Sequence, residues 1–131
     1  MINIHNLQVY QVSLQAFSAV NKALDAVPVR SGHGYLVNQC RRATSSVVSN
    51  IAEGAGRLHG DRSHHLQIAY ASAQEASSQL TQLLLLGLVT PDDVLPAEGL
   101  LDRTRAMLWR LARSTGPAHG AGASAGAAGE A

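Results

Sequence analysis

Cysteine is nearly absent. Cys40 stands alone in 131 residues, so no disulfide can form within the chain and a reducing cytoplasm is the expected location. Aromatic residues make up only 4%, which leaves few platforms for stacking nucleobases. Charged residues amount to 15%, against a more usual figure of about a quarter, and that excludes a highly charged disordered chain. Neither sign of charge predominates. Ten Lys+Arg against nine Asp+Glu leave a formal charge of +1, so bulk basicity does not mark a nucleic-acid-binding protein. The longest apolar run, Leu83 to Val89, is too short to cross a bilayer, and no membrane association is expected. The opening Met1-Ile2-Asn3-Ile4-His5-Asn6 has no basic stretch leading into an apolar core, so no secretory signal is expected.

Patterns that carry chemistry are also missing. A di-iron carboxylate bundle needs Glu-x-x-His on two helices, and that spacing occurs nowhere in the chain. Serines 45, 46, 49, 72, 77 and 78 lie in an Ala-rich helical context, none of them in a Gly-x-Ser-x-Gly elbow. There is no phosphate-binding loop, and the Gly54-x-Gly56 pair follows a helix, the wrong context for cradling phosphate. His59, His64 and His65 cluster, but adjacent helical residues diverge by about 100°, so His64 and His65 do not share one ion. Cys40 falls on an apolar stripe and reads as a small buried hydrophobe. No catalytic residue, metal or cofactor is expected.

What is present is helical periodicity. Segment one runs from about Asn6 to Ala26, with Leu7, Tyr10, Leu14, Phe17 and Leu24 recurring at steps of three and four. Val9, Val12, Ala16, Val20 and Ala23 widen this into a broad apolar face. Segment two runs from about Tyr35 to Glu53 on a stripe of Leu36, Cys40, Ala43, Val47 and Ile51. Gly54 follows as a C′ residue free to take a left-handed φ. Segment three begins near Asp61, an expected N-cap, and reaches about Leu86 through Leu66, Ala69, Tyr70, Ala73, Ala76, Leu80, Leu83 and Leu84. Its alanines allow a neighbouring helix to come close. Gly87 ends or kinks it. Thr90-Pro91-Asp92-Asp93 is a helix start with a cap, a first-position proline and acids in the first turn. Pro96 predicts a short turn over Pro91 to Leu95, then a main helix from about Ala97 to Arg113. Leu101, Leu108 and Leu111 face inward there, and Arg103, Arg110 and Arg113 outward.

The remainder is Gly- and Ala-rich with no large apolar side chain, and a disordered tail is expected over 115–131. The expected fold is thus all-α: an up-down-up-down four-helix bundle over 1–114. The apolar positions exceed one stripe per helix. The run Leu83-Leu84-Leu85-Leu86 covers every side of a turn, so part of it faces outward in a monomer and self-association is expected.

The most distinctive stretch reads Arg41-Arg42-Ala43-x-x-Ser46-Val47-x-x-Asn50-Ile51-Ala52-Glu53-Gly54-x-Gly56-Arg57. On a helix Arg42, Ser46, Ser49 and Glu53 share a side, and Glu53 precedes Arg57 by four residues, a favourable pairing order. This stretch resembles the four-helix-bundle family encoded within intervening sequences of bacterial large-subunit ribosomal RNA genes. The likeness extends over roughly Leu7 to Leu111, and includes an opening Leu7-x-Val9-Tyr10-Gln11 and a Gly87-Leu88-Val89 turn after segment three. The family pattern carries Trp where this chain has Tyr10. Asn50, Ile51, Glu53, Gly54 and Gly56 are its motif residues.

The resemblance implies a homopentamer, built as a barrel with a central channel, and no enzymatic activity. It also implies a link to the accessory variability proteins of diversity-generating retroelements, a distant branch that binds nucleic acid and partners a reverse transcriptase. Those relatives are strongly basic and this chain is not. Charge is nonetheless uneven here. Between Arg30 and His65 five arginines stand against Glu53 and Asp61, a local net of +3. Arg41, Arg42, Arg57 and Arg62 are the candidate RNA- or DNA-binding residues, expected to contact the backbone with little sequence preference and steep salt dependence. Two functions from different classes are therefore expected of this chain: a self-assembling interaction module, or a nucleic-acid accessory.

Overall fold

The computed structural model describes residues 7–114, apart from the side chains of His59 and Ser114. Four helices make up the fold: α1 (Gln8–Leu24), α2 (Gly34–Ala55), α3 (His59–Leu85) and α4 (Pro91–Ser114). Among the described residues there is no strand, and no helix is long and apolar enough to cross a membrane. Each helix packs on its sequence neighbours, and α4 closes the bundle against α1. The expected tail lies outside the described residues.

The α2 stripe is buried as its period requires: Leu36, Cys40, Ala43, Val47 and Ile51 all reach the core. Opposite them Ala69, Ala73 and Ala76 of α3 are completely covered, and the α2–α3 seam is the most extensive in the bundle. Small side chains on the facing helix shorten the interaxial distance and let the two backbones meet.

Segment one buries only part of its expected broad face. Val9, Val12, Ala16, Val20, Ala23 and Leu24 face the core, together with Ser13. Leu14 and Phe17 remain 40% and 38% exposed, and Tyr10 is half-buried. Both stripes have helical spacing, so periodicity does not rank them. The slimmer one fits the close-packed interior, which leaves Leu14 and Phe17 of the bulkier row on the flank while Leu24 at its end is buried.

Three local expectations also change. Gly54 lies inside α2, which continues to Ala55, and the described glycines with positive φ are Gly32 and Gly87. Its missing side chain serves proximity: a Cβ there would lie 3.2 Å from the Cβ of His65 and 3.4 Å from the carbonyl oxygen of Arg62. Asp61 is not the N-cap of α3. That position is Leu58, which makes no side-chain cap, and Asp61 instead places an acid in the first turn, where the helix dipole favours it. Finally, α4 is continuous through Pro96. The proline falls in the second turn, where its own residue and Asp92, four earlier, are exposed, so water can solvate the carbonyl that lacks its partner.

The α3–α4 connection follows its sequence signals. Gly87 adopts φ +74°; its N–H donates to the Leu84 carbonyl, and the Leu88 N–H to that of Leu83, both at 3.0 Å. This is a Schellman ending. Thr90 then caps α4 reciprocally: its hydroxyl accepts from the Asp93 N–H at 3.2 Å, and the Asp93 carboxylate accepts from the Thr90 N–H at 2.8 Å.

Two glycines make opposite predictions. Gly54→Val forces the α2–α3 contact apart and lowers stability by about 1–3 kcal/mol. Gly99 is exposed within α4, with open space where a Cβ would stand, and its substitution by Ala gains about 0.5–1 kcal/mol. Thermal melts of the two variants check both signs.

Candidate functional site

The motif residues converge on the seam between α2 and α3. The Asn50 side-chain amide donates to the Ser46 carbonyl at 3.0 Å and to its hydroxyl at 3.1 Å. Its oxygen is therefore turned to His65, whose Nδ1 lies 3.0 Å away. An amide oxygen only accepts, so in this bond His65 is the donor, through Nδ1–H. The Ser46 and Ser72 hydroxyls share a further bond of 2.8 Å. Asn50 and Ser46 of α2 are thus joined to His65 and Ser72 of α3 by side-chain bonds across the most extensive seam of the bundle.

Glu53 and Arg57 form the expected ion pair at 2.6 Å, although Arg57 lies beyond the end of α2. Hydrogen bonding to Arg57 holds the Glu53 carboxyl below its ordinary value and raises that of Arg57. The contribution of this pair is present above the ordinary Glu value and fades as pH falls through the lowered one. Both groups face water, which keeps the contribution small. Ile51 is buried in the core, and Gly56 is the C-cap of α2, with φ −90°.

The four predicted arginines differ in their engagement. Arg41 is tied to α1: its guanidinium donates to the Asn21 side chain and lies 3.4 Å from Asp25. Arg57 holds Glu53, and Arg62 donates to the Arg57 carbonyl at 3.3 Å. Arg42 is exposed and has no partner among the described residues. Arg41 and Arg42 lie on α2, Arg57 on the α2–α3 connection and Arg62 in the first turn of α3, so the four do not form a single cluster.

Cys40 is fully enclosed, its thiol 3.7 Å from the Ala76 carbonyl. Burial pushes its pKa up to about 12, so the thiolate that would act as nucleophile or metal ligand is scarce at neutral pH. Among the described residues no three His, Cys, Asp or Glu side chains gather as metal ligands would.

Sequence reasoning placed Tyr70 in the core and gave Trp109 no role. In the structure their rings lie 6.0 Å apart and tilted by 49°, lining a groove of about 380 Å³ on the α3–α4 seam. Gln67, Leu108, Ala112 and Arg113 complete the lining. Trp109 is 43% exposed, and the Arg113 guanidinium stands 5.5 Å from the centre of one of its rings. The steps from Trp109 to Arg113 and from Arg103 to Arg110 were available as a signal on α4.

The fold and its polar seam define a small, all-helical four-helix protein. Its sequence matches the family of 23S rRNA-intervening sequence proteins over residues 5–110, and the chain belongs to that family. No curated protein matches it.

Two consequences are measurable. Asn50→Ala removes the link between Ser46 and His65 and lowers stability by about 1–2 kcal/mol, read as a shifted urea midpoint. Native Cys40 resists a thiol-alkylating reagent at mildly alkaline pH and reacts stoichiometrically once the chain is unfolded in guanidinium; mass spectrometry distinguishes the two states.

Proposed function

We propose that this protein is a non-enzymatic assembly module that associates with further copies of itself, as a pentameric ring in the arrangement that its family resemblance implies. The observation that carries the reading is the apolar surface that the bundle does not cover. Tyr10, Leu14 and Phe17 form a row along α1, and Asn21, the next residue of that row, bonds to Arg41 of α2. The row therefore lies on the α2 side of α1. At the far end of α3, Leu85 is 82% exposed beside Leu86. Exposed apolar side chains gathered in a row of this kind support an interface.

The polar groups of the motif support a structural role, because they are occupied with one another across the α2–α3 seam and do not surround a cavity. A buried reduced Cys40 suits a cytoplasmic protein. The second reading, an accessory to RNA or to a reverse transcriptase, draws its support from α4, where exposed arginines stand beside the aromatic groove, more than from Arg41 and Arg57.

Native mass spectrometry tests the assembly reading. The expected species is a five-fold multiple of 13.7 kDa, and a bare monomer at micromolar concentration overturns it. Leu14→Asp combined with Phe17→Asp is expected to split the assembly into monomers that keep their helical circular dichroism.

A further inference from the structure

We propose that the groove on the α3–α4 seam, with the arginines on the adjoining face of α4, is a binding site for single-stranded nucleic acid; the inference rests on the second, nucleic-acid reading above and is independent of the assembly reading.

Charge is the first observation. From Gly99 to Ser114 α4 carries Arg103, Arg105, Arg110 and Arg113 against Asp102 alone, a local net of +3 in a chain whose total is +1. Asp102 is held by Arg105. Arg103, Arg110 and Arg113 are exposed and have no acidic partner among the described residues. At the spacing of an α-helix they extend over about 15 Å.

The groove is the second observation. Its volume of about 380 Å³ lies within the range of about 300–1,000 Å³ typical of small-ligand sites. Two aromatic rings and a guanidinium offer flat surfaces to a planar group, and no acid lines it. Gln67 donates to the Ser63 hydroxyl at 3.2 Å, and its own carbonyl oxygen remains an acceptor for the edge of a base. Compensation of the helix dipole accounts for arginines in the last turn. It does not account for Arg103, nearly three turns from the end, nor for a half-exposed tryptophan beside a tyrosine. Stacking on aromatic rings beside cations is how sequence-tolerant single-strand sites are built. Bases within a duplex are already stacked and do not enter such a groove.

Trp109 is the chain's only tryptophan, so its fluorescence reads the site directly. Titration with a short oligouridylate at low salt is expected to give saturable quenching that salt reverses. The Arg103→Gln/Arg110→Gln variant, altered only at exposed positions, is expected to bind about tenfold more weakly. If two phosphate contacts are lost, its log–log salt slope falls by about 1.4. Trp109→Leu, followed by anisotropy of a labelled oligouridylate, is expected to lose about five- to a hundredfold in affinity with the salt slope kept. Arg42→Gln on α2 leaves affinity unchanged. The proposal is overturned by an absence of quenching in the wild type, by wild-type affinity in the α4 double variant, or by equal quenching with duplex RNA or polyglutamate. The double variant keeps the test decisive should Trp109→Leu fail to fold.

Discussion

The bundle is organised around how near α2 comes to α3. Ala69, Ala73 and Ala76 present almost no side chain to the facing stripe, and Gly54 presents none: a Cβ there would stand 3.4 Å from the Arg62 carbonyl oxygen, so the contact has no room for one without a shift. Alanines along a seam specify distance more than register, because they fit nearly as well one turn up or down. The hydrogen bonds between Asn50, Ser46, His65 and Ser72 supply the register. A slip along the helix would separate these groups and leave half-buried donors without acceptors, at a cost comparable to several good packing contacts. The family motif is therefore understood as a structural latch: a glycine for closeness, an asparagine for alignment, and the Glu53–Arg57 pair where α2 leaves the seam.

The latch also explains what was legible in the sequence. Single-helix properties were readable. The α2 stripe, the Gly87 ending and the Thr90–Asp93 start depend on residues within one or two turns of each other. Properties that depend on a second helix were not. Gly54 after a polar stripe has the look of a helix stop, and only the position of His65 and Arg62 shows that it is a contact. On α1 two apolar rows have the same period, and the choice between them follows from the room left by α2 and α4. Pro96 is tolerated because its turn faces water, which the sequence does not state.

Net charge was similarly incomplete as a guide. A total of +1 averages over arginines in very different situations. Those in the motif region largely have partners: Arg41 holds α1 to α2, and Arg57 holds Glu53. Those on the outer face of α4 lie at a helical spacing that their single acidic neighbour does not neutralise. The strength of a charged surface depends on which charges remain unpaired, and pairing is a tertiary property.

The arrangement of neighbours, α1 to α2 to α3 to α4 and back to α1, gives the bundle two opposite sides of different character. The apolar row of Tyr10, Leu14 and Phe17 lies toward α2, as the Asn21–Arg41 bond shows. The Tyr70–Trp109 groove lies between α3 and α4. A contact between subunits made through the α1–α2 side would thus leave the groove and its arginines open to solvent. It would also repeat them once per subunit, so that several weak phosphate contacts act on one strand and their effective concentrations multiply. If the ring's second, complementary patch also avoids the groove, the proposed self-association and the proposed strand binding would use different surfaces, and the first would strengthen the second.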